Sequence, residues 1–208
     1  MSLKQSYYRY RVTFAKTGKV RFIGHLDLQD LFQKAIKRAK LPVGYSEGFN
    51  PHQLLSFACP LPLGMAGHAE MLEVFLTQEV LPQEIVSVLN SQMPQGLTIL
   101  SAEEVPSVGK SAAALVRSAT YSICFSQAVD VRAIMASDRI EVMKKGKQTD
   151  IRPDIHDLSS NGGNCIIALL ACGSERNLKP EVLAEYISPG DNDVSYERLA
   201  IHLKGVGS

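Results

Sequence analysis

Hydrophobic and polar residues recur with two periods along the first hundred residues of the chain. A period of two predicts strands, and a period of about 3.6 predicts amphipathic helices. The pattern predicts strand, helix, strand, strand, helix and strand, at residues 8–14, 28–39, 54–57, 71–76, 82–89 and 97–100. The order βαββαβ is typical of the ferredoxin-like fold. We therefore expect an α+β fold whose first half is ferredoxin-like.

The first helix has the clearest pattern. Its apolar residues are spaced three and four apart and define one face: Leu28, Leu31, Phe32, Ala35, Ile36 and Ala39. Asp27 stands directly before this run and is predicted to cap the helix, and Pro42 follows its end. The second helix begins at Pro82, a residue that is well suited to the first turn.

The second half of the chain has a weaker pattern of the same kind. It predicts three strands and two helices: strands at 119–125, 140–144 and 165–171, and helices at 129–136 and 180–186. A basic turn follows at 144–147, and a stretch rich in Ser, Ala and Val predicts a linker at 106–117. The predicted domains are therefore 1–105 and 118–208, the second being a degenerate ferredoxin-like copy of the first, although no sequence repeat is visible.

Charge is distributed unevenly along the chain. The 208 residues contain 22 Lys and Arg against 21 Asp and Glu, which gives a formal charge of +1. Residues 1–60 nevertheless carry a net +7, residues 61–110 a net −5, and the remainder −1. A basic segment in a folded domain favours a polyanionic partner such as RNA, and it also fits a solvated face. The charge sum leaves both interpretations open.

The overall composition is that of a globular protein. Hydrophobic residues make up 45% of the chain, which is enough for a substantial core. No apolar run reaches the ~18 residues that a membrane span needs. The N-terminal residues lack the apolar centre of a signal peptide. We therefore expect a cytoplasmic protein without membrane association.

The four cysteines are Cys59, Cys124, Cys165 and Cys172. They are too few and too scattered for a disulfide scaffold, and their spacing does not match a zinc site. We expect them to behave as small buried apolar side chains in a reducing compartment. We expect no bound metal and no cofactor in this chain.

A first polar cluster, residues 19–27, leads into the first helix. Backbone N–H groups at a helix start favour an anion, so Lys19 and Arg21 predict a receptor for phosphate or carboxylate. His25 would then act as a proton donor, and His25 and Asp27 are the candidate catalytic residues. In the alternative interpretation, Asp27 caps the helix and His25 forms a hydrogen bond within the same turn.

A second polar cluster, residues 45–52, follows the first helix. It combines a carboxylate, an amide, an imidazole and an aromatic ring with Gly and Pro, which favours a binding loop. The candidate binding residues in it are Ser46, Glu47, Phe49, Asn50 and His52. The alternative is a structural turn with Phe49 inserted into the core. Because the two clusters flank the helix in a βαβ unit, they need not form a single site.

The first helix also carries four basic residues, Lys34, Lys37, Arg38 and Lys40. They favour a solvated face that complements the helix dipole. A role in following a nucleic-acid backbone would require this face to align with the cations of the preceding strand and loop, Arg9, Arg11, Lys19 and Arg21. Recognised catalytic motifs, such as a phosphate-binding loop or a nucleophile elbow, are absent from the sequence, so enzymatic activity is left open.

These motifs resemble the radical-SAM-linked conserved hypothetical proteins, a bacterial domain found fused to, or encoded with, radical SAM proteins. The resemblance rests on residues 19–27, 35–42 and 45–52, and continues through 55–64 and 69–73. Residues 145–153 and 173–180 look like the looser C-terminal pattern of the family, although the spacing that leads to Pro180 departs from it. Arg152, within that pattern, is a further candidate for substrate binding.

The resemblance implies a radical SAM protein as partner and an RNA substrate. The leading hypothesis is an RNA-binding or substrate-presenting accessory module for radical SAM-dependent modification of tRNA or rRNA. The residues expected to contact RNA are Lys19, Arg21, His25, Ser46, Glu47, Phe49, Asn50, His52 and Arg152. Two alternatives are an RNA-modifying enzyme of pseudouridine-synthase-like architecture and a protein-interaction domain that docks the radical SAM partner through residues 60–64.

Overall fold

A computed structural model of the chain describes residues 7–144 and 146–205. The chain divides into two compact units, residues 1–115 and 116–208, which we describe one at a time. Lys4 of the basic segment and Lys145 of the predicted basic turn lie outside the described residues. In the part of the chain that is described, no helix is both long and apolar enough to cross a membrane.

The first unit contains the predicted succession of strands and helices, followed by a short third helix that the sequence did not predict. Its elements are β1 (Tyr8–Lys16), α1 (His25–Arg38), β2 (Leu55–Phe57), β3 (Ala66–Leu76), α2 (Pro82–Asn90), β4 (Leu97–Val105) and α3 (Ala112–Leu115). β1 pairs antiparallel with β3 and with β4, and β2 pairs antiparallel with β3. The strand order of this sheet is therefore β4-β1-β3-β2. The predicted α+β class is confirmed.

The core of the first unit lies between this sheet and its helices. Alternate residues of β1 face the helices, and Tyr10, Val12 and Phe14 are almost fully buried there. The ring of Phe14 meets that of Phe32 in α1 edge to face, with centroids 4.9 Å apart. It also meets the ring of Phe57 in β2, with centroids 5.9 Å apart. Aromatic packing thus joins β1, α1 and the edge strand β2.

The opposite face of the same sheet holds a buried ion cluster. Arg11 and Glu73 are register partners on β1 and β3. Glu73 Oε2 lies 2.6 Å from a terminal nitrogen of Arg9, and Glu73 Oε1 lies 3.3 Å from one of Arg11. All three residues are buried. Glu73 thus neutralises part of the positive charge of β1 inside the protein.

The segment that leaves β4 is held against this cluster. The Arg9 guanidinium donates hydrogen bonds to the carbonyl oxygens of Pro106, at 3.3 Å, and Lys110, at 2.8 Å. The predicted linker, residues 106–117, also contains α3 and the first two residues of the next strand. Much of this segment is thus ordered by the first unit, because buried guanidinium donors need acceptors.

The second unit contains six strands and two helices among its described residues. They are β5 (Val116–Cys124), α4 (Arg132–Ala136), β6 (Glu141–Lys144), β7 (Lys147–Asp150), β8 (Ile155–Ser160), β9 (Cys165–Ala171), α5 (Pro180–Ile187) and β10 (Ser195–Leu203). Four strands form an antiparallel sheet in the order β10-β5-β9-β8. β6 and β7 form a separate hairpin.

The two units repeat one succession of elements. With the β6-β7 hairpin left aside, β5-α4-β8-β9-α5-β10 follows the order β1-α1-β2-β3-α2-β4, and the strand orders within the two units correspond. The sequence did not predict β7, β8 or β10. β7 and β8 are short and polar, and in β10 the charged residues Glu197 and Arg198 obscure the period of two.

The cysteine prediction is wrong for one pair. Cys124 and Cys165 are register partners on β5 and β9, and their sulfur atoms are bonded. Directly opposed positions on antiparallel strands bring Cβ atoms close together, but a separation of 41 residues conceals this in the sequence. Cys172 is a buried thiol, as expected, and Cys59 is only partly buried.

The ion cluster of the first unit yields a stability prediction. Glu73→Gln removes the carboxylate that two buried guanidinium groups share, so we expect the free energy of unfolding to fall by about 3–5 kcal/mol. The control is Glu103→Gln, because Glu103 also contacts Arg11, at 3.3 Å, but its side chain is 61% exposed. That change should cost at most about 1 kcal/mol. Urea unfolding measures both values, and equal losses would contradict the cluster's role.

Candidate functional site

The first candidate cluster forms a loop in front of α1, which we call the helix-start loop (residues 17–24). A short 3₁₀ helix at Gly18–Phe22 turns Val20 into the core. The same turn leaves Lys19, Arg21 and Phe22 exposed. The Arg21 guanidinium carbon lies 4.8 Å from the centroid of the Phe22 ring. The loop thus presents two cations and one aromatic ring to solvent.

A buried lysine fixes the backbone of this loop. Lys16 ends β1 on the core face and is 1% exposed. Its ammonium group donates hydrogen bonds to the carbonyl oxygens of Ile23, at 2.7 Å, and Arg21, at 3.3 Å. The N–H of Gly64 also donates to the Arg21 carbonyl, at 3.0 Å. These bonds fix the loop backbone, from which Lys19, Arg21 and Phe22 extend into solvent while Val20 packs into the core.

The charge of Lys16 is balanced inside the protein. Burial lowers the pKa of Lys16, and the negative charge of Glu70 opposes that shift. Glu70 is itself buried, on β3. The residue paired with Lys16 on β3 is Gly67, where a Cβ atom would lie 2.6 Å from Glu70 Oε1. The missing side chain of Gly67 therefore gives the carboxylate of Glu70 its space.

The start of α1 differs from the prediction. The helix begins at His25 and its N-cap is Gly24, so the prediction of Asp27 as N-cap is wrong. Asp27 lies in the first turn, and its Oδ2 would be 3.3 Å from a Cβ atom at Gly24. A carboxylate at this position stabilises the helix dipole. The His25 ring is partly buried and meets the Phe57 ring edge to face, with centroids 5.3 Å apart.

The second candidate cluster forms a closed loop, which we call the Phe49 loop (residues 46–52). The N–H of Ser46 donates to the His52 carbonyl at 2.8 Å, and the N–H of His52 donates to Ser46 Oγ at 3.1 Å. Ser46 Oγ also lies 2.8 Å from His52 Nδ1. Ser46 and His52 therefore join the two ends of the loop.

The tip of the Phe49 loop is open to solvent. Glu47, Phe49, Asn50 and Pro51 are exposed, and the Phe49 side chain is fully so. The alternative in which Phe49 packs into the core is therefore wrong. Burial of an aromatic ring in an interface is strongly favourable. The exposed Phe49 ring can therefore contribute to the binding of a partner.

The two loops lie at opposite ends of β2. His25 packs on Phe57, the last residue of this strand. Gln53, which precedes β2 and follows the Phe49 loop, donates from Nε2 to the Gln33 carbonyl in α1 at 3.2 Å. Four residues of extended chain separate Gln53 from Phe57, a distance of about 13 Å. The loops therefore share one edge of the first unit as two neighbouring surfaces.

Arg152 belongs to the second unit, where its side chain binds the backbone. Its Nε donates to the Ser137 carbonyl at 2.9 Å, and its two terminal nitrogens donate to the Ile155 carbonyl at 2.9 Å and the Met135 carbonyl at 3.2 Å. All three guanidinium nitrogens thus hold the segments next to α4 and β8.

The basic segment is divided between the interior and the surface. Arg9, Arg11 and Lys16 are buried, so Arg9 and Arg11 do not share an exposed face with Lys19 and Arg21. The cations that stay exposed are Lys19, Arg21, Lys34, Lys37, Arg38 and Lys40. Arg38 also donates to Gln92, at 3.1 and 3.0 Å. Exposed positive charge is thus concentrated on α1 and the loop before it.

Sequence reasoning missed the interaction of Lys16 with Glu70. The signal was present, because Lys16 continues the core-facing series of Tyr10, Val12 and Phe14 at a period of two. A lysine at a core position is rare unless it is paired. Among the described residues, no three His, Cys, Asp or Glu side chains are grouped as metal ligands would be.

Comparison with known proteins gives the family. The model of a family described as an uncharacterised protein conserved in bacteria, DUF2344, matches residues 9–180. The chain therefore belongs to this bacterial family, whereas the link to radical SAM proteins stays a prediction. No curated protein matches the sequence. A crystal structure of an unknown protein from Galdieria sulphuraria is 16% identical and covers 93% of this chain and 99% of its own, with a TM-score of 0.28.

The role of Lys16 leads to a second prediction. Lys16→Met removes the positive charge that acts on the buried Glu70 and two hydrogen bonds to the carbonyl oxygens of the helix-start loop, so the free energy of unfolding should fall by about 3–5 kcal/mol. Adding Glu70→Gln should restore part of this loss. The control is Lys19→Met, which changes an exposed lysine three residues away and should cost less than about 0.5 kcal/mol. Chemical unfolding of the unchanged protein, Lys16→Met, Glu70→Gln, the double variant and Lys19→Met tests the pair, and losses of the two single variants that simply add in the double variant would contradict it.

Proposed function

We propose that this protein is an RNA-binding or substrate-presenting module, and that it serves radical SAM-dependent modification of tRNA or rRNA. The observation that carries the proposal is the exposure of aromatic rings together with cations along one edge of the first unit: Phe22 with Lys19 and Arg21, and Phe49 on the neighbouring loop. Cations bind phosphates without regard to sequence, and aromatic rings stack on unpaired bases. The combination fits single-stranded or looped RNA.

The exposed rings are the more specific part of this surface. Phe22 is 61% exposed, and Phe49 is completely exposed. Stacking of one base on one aromatic side chain contributes about 1–3 kcal/mol. Asn50 and Glu47 lie beside Phe49 and offer polar groups to a base edge.

The helix α1 extends the positive charge of this surface. Lys34, Lys37 and Lys40 are exposed on it or directly after it. They favour the phosphate backbone of an RNA that reaches from one candidate loop toward the other. A solvated helix face would carry the same residues. The salt dependence of RNA binding therefore has to show whether these lysines contact phosphates.

Topology supports the finer fold assignment, two ferredoxin-like units. Within each unit the strands have the order of a βαββαβ motif in which the first strand lies between the third and the fourth. RNA-recognition domains of similar topology stack bases on the open face of the sheet. Here that face of the first unit carries Arg9, Arg11 and Glu73, all buried. The proposed RNA surface is therefore on the loops at the sheet edge.

Protein docking is a second candidate function, and exposed apolar side chains favour it. Leu26 is 76% exposed and Leu63 is 69% exposed. The Gly64 N–H binds the Arg21 carbonyl, and a Cβ atom at Gly64 would lie 3.7 Å from the Phe22 ring. Leu63 therefore lies next to the helix-start loop. A radical SAM partner, which the sequence resemblance suggests, would cover these leucines.

Fluorescence anisotropy with labelled tRNA and a short single-stranded RNA across a salt series tests RNA binding. Lys19→Ala with Arg21→Ala should weaken binding. The plot of log K against log salt, whose slope is negative, should become less steep by about 1–2. Phe49→Ala should weaken binding by about 1–3 kcal/mol at every salt concentration. The matched control is Lys147→Ala with Lys179→Ala, which removes two exposed lysines of the second unit. Salt-independent or absent binding by the unchanged protein would overturn the proposal, as would an equal effect of the control.

Docking predicts a different outcome for a different variant. Leu63→Asp should abolish binding to a purified radical SAM protein of the same organism, because a carboxylate cannot be buried in an apolar interface without a large desolvation cost. The same variant should leave RNA affinity within about twofold of the unchanged protein, since the aspartate adds only one negative charge at the edge. Calorimetric titration measures the first and anisotropy the second. If Leu63→Asp binds the radical SAM protein as tightly as the parent protein does, this face is not the docking surface.

A further inference from the structure

A basic cavity lies at one end of the sheet in the second unit. Its volume is about 350 Å³, within the range of small-molecule sites. Arg117 comes from the start of β5 and His156 from the start of β8. Arg176 comes from the loop after β9, and Lys204 follows β10. Four separate segments thus contribute nitrogen donors to one cavity, an arrangement that no sequence motif predicts.

The balance of charge around the cavity is positive. Three permanently charged groups, Arg117, Arg176 and Lys204, line it together with His156, whereas Glu175 is the one carboxylate among its described lining residues. Glu175 lies 2.8 Å from Lys204, and both side chains are largely exposed. An exposed ion pair contributes little to stability, so an incoming anion can compete with Glu175 for Lys204.

The backbone holds these groups in place. Cys172 donates its N–H to the Arg117 carbonyl at 3.0 Å, and Leu178 donates to the Ala171 carbonyl at 2.9 Å. Gly173 has φ +147°, and a Cβ atom there would lie 2.5 Å from the Val116 carbonyl oxygen. Only glycine allows this approach, which ties the loop after β9 to the start of β5.

Arg176 is oriented for a ligand. Its Nε binds the Asp154 carboxylate, and Asp154 is itself buried. This contact fixes the plane of the guanidinium and leaves its two terminal nitrogens as donors. Guanidinium groups bind phosphate through two parallel hydrogen bonds, and Arg117 offers a second such group. Val116, Ala171, Cys172 and Gly173 complete the lining, which is apolar on this side.

We propose that this cavity binds a phosphate monoester that is joined to a small organic group, as in a nucleoside monophosphate or at the 5′ end of an RNA. Arg117, Arg176 and Lys204 would bind the phosphate, and the apolar lining would contact the organic part. The site lies within the second unit and needs none of the residues of the proposed RNA surface. Its success or failure is therefore independent of that surface.

Calorimetric titration of the full chain with AMP and with inorganic phosphate tests the site. Arg117→Ala should weaken AMP binding at least about tenfold, because it removes a charged two-point contact. Glu175→Gln should strengthen binding several-fold, because it removes the competing carboxylate. Lys179→Ala, which removes an exposed lysine outside the cavity, should change nothing. Arg176→Ala removes the partner of the buried Asp154, so circular dichroism is used to check that this variant folds. If it does not fold, Arg117→Ala alone decides the test.

Two further arms identify the source of the phosphate. A short RNA with a 5′-phosphate that binds through Arg117 more tightly than AMP, and loses this advantage with a 5′-hydroxyl, would indicate an RNA end. Tighter binding of AMP would indicate a free nucleotide. Lys19→Ala with Arg21→Ala should leave AMP binding unchanged, which separates this site from the first unit. Absence of AMP and phosphate binding, or equal affinity of the Arg117→Ala and unchanged proteins, would overturn the proposal.

Discussion

The hydrogen bonds of the Lys16 ammonium group are the interaction on which the helix-start loop depends. This ammonium group stands at the end of a core strand, where a charged group loses its water, and it recovers stability from two carbonyl oxygens and from the charge of Glu70. The helix-start loop takes its shape from these bonds. Internal electrostatics of the first unit thus determine what is displayed outside, since the same loop carries Lys19, Arg21 and Phe22.

The uneven charge along the sequence has a structural explanation. Residues 1–60 have a net charge of +7 and residues 61–110 have −5, and part of this difference consists of partners on adjacent strands. Glu73 binds Arg9 and Arg11, Glu103 binds Arg11, and Glu70 acts on Lys16. The excess that reaches solvent is smaller than the segment sum, and it is concentrated on α1 and the loop before it. A linear charge count therefore overestimates the electrostatic footprint.

Periodicity predicted the elements of the first unit because one face of each is apolar, as in α1 and β1. Periodicity failed to predict an element or its boundary where charged side chains interrupt the apolar pattern. Asp27 was predicted as the cap because it precedes the apolar run, but the helix starts at His25, three residues before the predicted start, and its N-cap is Gly24. The β10 strand was missed because its alternation is hidden by charged residues. The cavity of the second unit could not be predicted, since Arg117, Arg176 and Lys204 meet only through sheet pairing.

The hydrogen bonds from Arg9 to the carbonyls of Pro106 and Lys110 determine where the chain can be cut. A fragment that ends at residue 105, the boundary suggested by composition, would lose both acceptors and leave donors of a buried guanidinium unsatisfied. Residues 106–110 therefore belong to the first unit energetically, although they contain no strand or helix. A fragment of the first unit therefore has to extend at least through Lys110 to keep both acceptors. One side chain of the first strand, Arg9, thus determines where the first unit ends along the chain.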